Sequence, residues 1–261
     1  MPKEFTSEPN ARESAVIAGR NAVTEALKKA RPIDCIYILK GADRGSVGKI
    51  IALAKERGVP VKDAAAQKLD ALCGGVVHQG VAAMAACHDF STMEDIFAKA
   101  GDQPPFVIIC DNIEDPHNLG AIIRTAEAAG AHGVIIPKRR GVGLTATVAK
   151  TSAGAVEYMP VVRVANIVST IEELKQKGLW IFCADMDGKP WCSADMGGPI
   201  GIVVGAEGSG VSRLTKEHCD FVVSLPMNGQ VNSLNASVAA AIVIYEAVRQ
   251  RSGLPAFTNN K

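Results

Sequence analysis

Helix-like and strand-like hydrophobic patterns alternate along the chain, starting near its amino terminus. Between Arg20 and Pro32, four apolar residues recur at the helical period, namely Val23, Ala26, Leu27 and Ala30. Ile33–Leu39, which follows, is rich in strand-forming residues. The pattern therefore predicts a helix that starts near Gly19 and ends before Pro32, and then a strand.

The same order of elements repeats in "SVGKIIALAKERGVPVK". We predict a helix that is capped by Ser46, buries Ile50 and Ile51, and ends at Gly58, followed by a strand at 59–62. The next apolar segment, "GGVVHQGVAAMAA", is flanked by glycines and is predicted to form another strand.

A proline-containing segment separates two predicted domains. The "QPP" of residues 103–105 is the best linker candidate, and a short helix opening at Ser91 precedes it. We therefore place a small α/β domain at 1–87, a linker with a short helix at 88–104, and a larger domain at 105–261.

The larger domain also alternates strands with helices. Apolar strand segments occur in "FVIICDNI", "HGVIIP", "LWIFCAD", "GIVVGAEG" and "FVVSLPM", with helical segments between them. The closing segment, "NASVAAAIVIYEAVRQ", is apolar on all sides and predicts a buried helix. This order is typical of an α/β fold with a doubly wound, mostly parallel sheet and helices on both faces.

Composition and charge exclude several classes of protein. Of 261 residues, 48% are hydrophobic and 21% charged, with a net charge of +1, which argues against a disordered or fibrous chain. Residues 1–90 hold 13 Lys and Arg against 10 Asp and Glu, whereas residues 91–261 hold 15 against 17. The mild basicity of the first part is consistent with an anionic partner and equally with a solvated face.

The cysteine pattern predicts free thiols in a reducing compartment. There are seven, an odd number, and no C-x-x-C occurs. No cluster of Cys and His has the spacing of metal ligands, so no metal is expected. No apolar stretch is long enough to span a membrane, and the polar start lacks a signal core, so we expect a cytoplasmic protein.

Three polar loops follow predicted strands: "DNIEDPHN", "GAEGSG" and "PMNGQVNSLN". In open α/β sheets, ligands bind at the carboxyl ends of the strands, where such loops lie. The glycines at 205, 208 and 210 do not have the G-x-G-x-x-G spacing, and no P-loop motif occurs, so neither nucleotide-binding motif is present. The glycines either bring main chain close to a ligand or only turn the chain.

Individual polar residues in these regions have two readings each. Arg124 lies off the apolar stripe of its predicted helix and is either a functional residue or a surface partner of Glu127. Asn118 is a helix cap or a site residue, and His117 is an acid–base residue or a structural one.

The closing helix begins with more polar residues than one cap requires. Asn232, Ser233 and Asn235 crowd a helix start, where main-chain N–H groups favour an oxygen-rich ligand. Earlier in the chain, the basic loop 138–140 is either solvated or in contact with phosphates.

Together these segments resemble one family. "NLGAIIRTAEAAG", "IVVGAEGSGVS" and "LPMNGQVNSLNASVAAAI" resemble, in order and spacing, the three motifs of the SpoU (TrmH) branch of the SPOUT RNA methyltransferases. "IAGRNAVTEAL" and "VVHQGVAAM" resemble the substrate-binding domain of RlmB-type 23S ribosomal RNA (guanosine-2′-O-)-methyltransferases. The resemblance runs from about Ala18 to Gln250.

The resemblance implies a knotted fold and a cofactor. In this family the carboxyl-terminal segment forms a deep trefoil knot that holds S-adenosylmethionine, and two subunits form a homodimer with a composite active site. By position, the cofactor-binding residues would be Val204, Gly205, Leu225, Met227 and Leu234.

The resemblance also implies roles in RNA 2′-O-methylation. Arg124 matches the catalytic arginine of the family, and the other site residues by position are Asn118, Glu207, Ser233 and Asn235. Because a guanidinium rarely deprotonates, stabilisation of the developing oxyanion is physically easier for Arg124 than a role as base. The candidate RNA contacts are Arg20, Lys138, Arg139 and Arg140.

The most specific function implied is methyl transfer to the ribose 2′-hydroxyl of a guanosine in 23S ribosomal RNA. The alternatives are the same chemistry on transfer RNA or another ribosomal site, and an inactive RNA-binding ribosome-assembly factor. A nicotinamide-dependent dehydrogenase is disfavoured by the missing glycine motif.

Overall fold

The computed structural model describes residues 16–29, 31–85, 88–230 and 233–255. Two compact units make up this part of the chain. The described residues up to Asp89, with Leu144–Ala146, belong to the first, and Phe90–Gly143 with the described residues from Thr147 onward belong to the second.

The first unit is a four-stranded sheet with three helices. Its elements are β1 (Val16–Ala18), α1 (Arg20–Lys28), β2 (Ile33–Leu39), α2 (Arg44–Glu56), β3 (Val61–Ala64), α3 (Ala66–Cys73) and β4 (Val81–Ala85). The strand order is β1-β4-β2-β3; β2 and β3 are parallel, and β4 runs antiparallel to β1 and β2. Val23 and Leu27 of α1 are buried against this sheet's core, as the helical period predicts.

Several predicted boundaries in the first unit are wrong. Helix α2 begins at Arg44, two residues before Ser46, and Ile51 is 38% exposed. Strand β3 begins two residues later than predicted, and the "VVHQ" expected in a strand forms a loop before β4. Helix α3 was not predicted. It is short and buries only Leu69 and Cys73, and two buried positions are too few to show the helical periodicity of apolar residues.

The second unit is a six-stranded sheet covered by helices. Its elements are α4 (Met93–Ala100), β5 (Phe106–Asp111), α5 (Pro116–Ala128), β6 (Gly133–Pro137), α6 (Ala146–Thr151), β7 (Val161–Val164), α7 (Ile167–Gln176), β8 (Trp180–Pro190), β9 (Ile200–Gly205), α8 (Arg213–Glu217), β10 (Phe221–Ser224) and α9 (Ala236–Arg251). The strand order is β10-β8-β9-β5-β6-β7, and all neighbours pair in parallel. The predicted α/β class with a mostly parallel sheet is confirmed.

Strand β5 lies in the middle of the core. All six of its residues are buried, as expected of a central parallel strand covered on both faces. Gly120 lets α5 pack closely on α6, since a Cβ there would lie 1.8 Å from Thr151 Oγ1. Each fully buried Ile, Leu or Phe in such a core contributes about 1.5–3 kcal/mol relative to exposure.

Helix α9 is less buried than its composition predicts. Val238 and Tyr245 are about half exposed, whereas Ala240, Val243 and Ile244 are fully buried. The expectation of a helix buried on all sides is therefore wrong for the single chain. None of the helices described here is long and apolar enough to cross a membrane.

The described cysteines carry free thiols, as predicted, and Cys87 lies outside the described residues. Four are buried: Cys35, Cys73, Cys110 and Cys183. Burial raises the pKa of Cys110 to about 12, so this thiol is protonated and unreactive at neutral pH.

His132 joins the start of β5 to the chain before β6. It is buried, its Nδ1 accepts the main-chain N–H of Phe106 at 3.0 Å, and its Nε2 lies 3.4 Å from Gln103 Oε1. Burial, and then the charges of Arg251 and Lys99, lower the pKa of His132. The folded chain therefore holds a neutral ring with its proton on Nε2.

This titration predicts a loss of stability in mild acid. A lowered folded pKa means that the contribution of His132 is complete above the unfolded pKa of about 6.5 and is lost as the pH falls below it. We expect the free energy of unfolding, measured with urea at about pH 7.5 and about pH 5.5, to fall more for the wild type than for His132→Asn. Asparagine can accept the same N–H and does not titrate, so equal losses in the two proteins would contradict the assignment.

Candidate active site

The carboxyl ends of β5, β6 and β9 carry loops that enclose a cavity of about 440 Å³. Its lining residues are Asn112, Ile113, Glu114, Asp115, Asn118, Arg140, Ala206, Glu207 and Ser209. Two of the three polar loops that the sequence singled out meet here. Ligands of open α/β sheets bind at this edge, so the cavity is the candidate site.

A hydrogen-bonded cluster of Asn118, Glu207 and Asn235 lies beside this cavity. Asn118 Nδ2 donates to Glu207 Oε1 at 3.1 Å, and Asn235 Nδ2 donates to Asn118 Oδ1 at 2.9 Å. Asn235 Nδ2 also contacts Glu207 Oε1. Glu207 Oε2 makes no hydrogen bond to a described residue, so that oxygen is available to a ligand.

Local sequence sets the position of Asn118. Asp115 caps α5 by accepting the N–H of His117 at 2.8 Å, and Pro116 occupies the first turn, where its missing N–H costs nothing. Asn118 therefore lies in the first turn of α5 and is only 5% exposed. The helix is capped by Asp115, and Asn118 is free to bond across the site.

Asn235 bonds in two directions. Its Oδ1 caps α9 by accepting the N–H groups of Ser237 at 3.0 Å and Val238 at 3.3 Å, and it also accepts the Ser237 hydroxyl. Its Nδ2 points the other way, to Asn118 and Glu207. One side chain therefore serves as the helix cap and as a site residue.

The loop that carries Glu207 is folded back on itself. Ala206 and Gly210 exchange two main-chain hydrogen bonds of 3.1 and 2.9 Å. A Cβ on Gly205 would lie 2.1 Å from the main chain of Gly210, so the loop closes only over a glycine. Buried Asp111 accepts the N–H of Ser212 at 2.8 Å and fixes the far end of the loop.

Charge in the cavity is mixed and mainly acidic. Glu114, Asp115 and Glu207 contribute carboxylates, and Arg140 contributes a guanidinium. Carboxylates accept hydrogen bonds from hydroxyl and amino groups, whereas a guanidinium donates to phosphate. The arrangement can thus hold a hydroxyl-bearing ligand next to an anionic group.

Arg124 does not join this cluster within the chain. It lies six residues after Asn118 on α5, roughly 120° away around the helix, and does not line the cavity. Its side chain is exposed and makes no hydrogen bond or ion pair with a described residue, so the pairing with Glu127 considered from sequence is not formed.

The other predicted site and RNA-contact residues are mostly exposed. Ser233 is exposed and bonds to no described residue, and Asn232 lies outside the described residues. Lys138 and Arg139 are exposed on the same loop as Arg140. Arg20, in the first unit, donates from Nε to the carbonyl of Gln79 at 2.9 Å.

The predicted cofactor residues offer apolar side chains and free main chain. Val204 is buried at the end of β9, Leu225 and Met227 are half-buried after β10, and Leu234 is 39% exposed before α9. Among described residues, the main-chain groups of 226–230 take part in no main-chain hydrogen bond. Apolar side chains beside unpaired amides and carbonyls fit the flat faces and polar edges of a purine nucleoside. At Gly205 the space for a Cβ is filled by the main chain of Gly210, and its part in binding a cofactor stays a prediction.

Sequence reasoning missed part of the cavity wall. Asn112, Glu114, Asp115 and Ser209 line it, and Asn112 adopts the left-handed conformation (φ 59°) that asparagine tolerates. Their loops were recognisable as polar segments after strands, but which side chains would face inward was not. Within the described ranges, no group of three or more His, Cys, Asp or Glu is arranged to hold a metal ion.

Two family models match the chain. One, described as the SpoU rRNA Methylase family, matches residues 105–245, and the other, described as RNA 2′-O ribose methyltransferase substrate binding, matches residues 16–90.

Relatives and a solved structure agree with these matches. A protein of Bacillus subtilis (strain 168) assigned to the TrmH family of tRNA/rRNA methyltransferases is 44% identical over 239 residues, covering 90% of this chain and 96% of the relative. A protein of Staphylococcus saprophyticus with the same assignment is 46% identical over 243 residues, covering 92% and 97%. The crystal structure of the SpoU methyltransferase AviRb from Streptomyces viridochromogenes, in complex with AdoMet, is 24% identical with a TM-score of 0.58, covering 91% of this chain and 90% of that one. At this identity the likeness shows the fold alone.

The close approach at Gly205 gives a prediction. In Gly205→Ala the new methyl group displaces the main chain of 210–211, which we expect to cost about 1–3 kcal/mol of unfolding free energy, as measured in urea. The matched control is Gly198→Ala, where a Cβ meets nothing within 4 Å and should change stability by less than about 0.5 kcal/mol. Equal unfolding free energies of the two variants would show that the main chain of 210–211 moves to accept the methyl group at no cost.

Proposed function

Because the chain belongs to the SpoU rRNA methylase family and is therefore an RNA methyltransferase, we propose that it transfers a methyl group from S-adenosylmethionine to a ribose 2′-hydroxyl. The observation that carries the proposal is the Asn118–Glu207–Asn235 cluster. Each of its members comes from a different motif of the predicted family resemblance, and all three meet at the ligand-binding edge of the sheet.

The apolar segment around Leu225, Met227 and Leu234 would hold the cofactor. The main chain of 226–230, which makes no main-chain hydrogen bond to a described residue, would bond the polar edges of the adenine. AviRb, which has the same fold, was crystallised with this cofactor, and that supports the assignment. When bound, S-adenosylmethionine supplies a methyl group activated by a sulfonium.

The cavity would hold the target ribose. For the 2′-oxygen to accept the methyl group, its hydroxyl proton would have to leave to a nearby base. Glu207 is placed to accept it, because Oε1 is held by two amides and Oε2 faces no protein partner among the described residues. Asn118 and Asn235 keep the carboxylate in that orientation.

Arg124 would act from a partner subunit. It does not line the cavity of its own chain, so we infer that a second chain brings it to the reaction centre. The half-exposed Val238 and Tyr245 of α9 support such an interface. We therefore propose a homodimer with composite sites, in which Arg124 stabilises the developing oxyanion and a phosphate.

The proposed RNA is 23S ribosomal RNA, methylated at a guanosine. The match of residues 16–90 to a substrate-binding family model supports an RNA partner, and the exposed cations at 138–140 would contact its phosphates. Transfer RNA is the second candidate, favoured by the family assignment of the relatives to tRNA/rRNA methyltransferases. The ribosome-assembly alternative is weakened by the complete hydrogen-bonded cluster.

Three further expectations remain proposals. The likeness of fold to AviRb supports a trefoil knot in the segment after β10. The boundary of the two compact units between Asp89 and Phe90 supports a first domain that ends near residue 87; residues 1–15 and 86–87 lie outside the described residues. Most of the proposed linker at 88–104 belongs to the second unit, where Ile96 of α4 is fully buried in the core, and the second domain at 105–261 stays a proposal. A cytoplasmic location is expected from the cysteine pattern and the RNA substrate.

Arg124→Ala tests the catalytic role. We expect methyl transfer to fall roughly 100-fold or more, since loss of one group that stabilises an oxyanion costs about that much, while affinity for S-adenosylmethionine by calorimetry changes little. Arg213→Ala is the control, because Arg213 is an exposed helical arginine whose ion pair is with Glu217 of the same helix. Undiminished turnover by Arg124→Ala would remove this residue from the mechanism.

Mapping of 2′-O-methylation in total RNA, from cells with and without the protein, tests the substrate. We expect one site to lose its methyl group, at a guanosine in 23S ribosomal RNA. Loss of a methyl group from a transfer RNA or from another ribosomal site would refute the proposed 23S target but would still support RNA 2′-O-methylation. If every site were retained and the purified protein transferred no methyl group to RNA, the assembly-factor alternative would replace an enzymatic function.

A further inference from the structure

The loop between α3 and β4, residues 74–80, exposes two adjacent valines; we call it the valine loop. Val76 is 61% exposed and Val77 is 77% exposed, the largest fraction among the exposed large apolar side chains of the described residues. Two neighbouring apolar side chains that leave most of their area in water indicate a surface available to a partner.

The valine loop is held in one shape by hydrogen bonds. His78 Nδ1 accepts the N–H of Gly80 at 3.0 Å, and His78 Nε2 lies 3.0 Å from Asp70 Oδ1. The N–H of Val76 bonds the carbonyl of Cys73 at 3.0 Å, and Val81 bonds the carbonyl of His78 at 2.8 Å. The valines are therefore presented on a fixed loop, and little conformational entropy is lost when they bind.

A cation lies at the same place. Arg20, the first residue of α1, donates from Nε to the carbonyl of Gln79, two residues after Val77. This bond ties α1 to the valine loop and leaves both terminal nitrogens of the guanidinium without a partner among the described residues. Asp70, the carboxylate that contacts the loop, is engaged by His78.

Charge over the whole first unit favours an anionic partner. Residues 16–90 contain 11 Lys and Arg against 7 Asp and Glu, a net charge of +4, whereas the whole chain carries +1. An RNA segment with an unstacked base offers both of the required chemistries, since the base is a flat apolar face and the phosphates are anions.

We propose that the valine loop and Arg20 form the surface with which the first unit holds its RNA, with an unstacked base against Val76 and Val77 and a phosphate at Arg20. This inference rests on the proposed function, because it assumes that the substrate is RNA. Apolar side chains pack against bases that are splayed out of a helix, and a guanidinium gives the phosphate contact.

The test compares RNA affinities of the full-length protein. Val76→Ser combined with Val77→Ser should weaken binding to protein-free 23S ribosomal RNA roughly tenfold, with an unchanged dependence on salt, because no charge is lost. Arg20→Ala should reduce the slope of log affinity against log salt by about 0.7–0.9, the amount for one phosphate contact. Val61→Ser is the matched control, since Val61 is an exposed valine of the same unit on the edge strand β3.

Bulk transfer RNA serves as a second probe, and S-adenosylmethionine affinity is measured for each variant. If the double variant binds both RNAs as tightly as the wild type does, or if Val61→Ser loses as much affinity, the proposal is overturned. If the wild type itself neither binds nor methylates either RNA, the proposed function fails instead. The two failures are therefore distinguishable.

Discussion

Asn235 hydrogen-bonds in two directions, and the candidate site depends on that double use. Its oxygen caps α9 and its nitrogen contacts Asn118 and Glu207, so the start of the last helix is bonded to the start of α5 and to the loop after β9. Hydrogen bonds to a charged group contribute about 1.5–3 kcal/mol each, enough to hold three loops in one arrangement. A helix cap needs only the side-chain oxygen of Asn235, so its nitrogen is left to bond the candidate site.

The rest of the cavity follows from a close approach of main chain to main chain. The loop 206–210 closes only because Gly205 has no side chain, and Asp111 fixes its far end. Glu207 is exposed, yet its carboxylate is oriented by two amides that themselves lie on capped helices. Preorganisation of this kind allows a group at a sheet edge to act on a substrate without first being ordered by it.

Sequence patterns predicted the long apolar strands better than the short helix α3, the loop 74–80 and the burial of α9. Long, strongly apolar strands such as β5 and β9 were predicted correctly, because a buried parallel strand is apolar throughout. The short helix α3 and the loop 74–80 were misassigned, since a few buried positions show no period and two valines resemble a strand. The buried character of α9 was overestimated, because composition does not tell which face a neighbour covers.

What the sequence determined by itself is the order of helices and strands, the α/β class, and the polar loops at which a ligand binds. These follow from periodicity and from residue chemistry, which are properties of short segments. Only the tertiary structure decided that Asn118 meets Glu207 and Asn235, which are 89 and 117 residues away along the chain. It also decided that Arg124 is exposed and does not line the cavity. Contacts across such separations depend on how the sheet is ordered and on how each helix is rotated on it, and no local pattern encodes either.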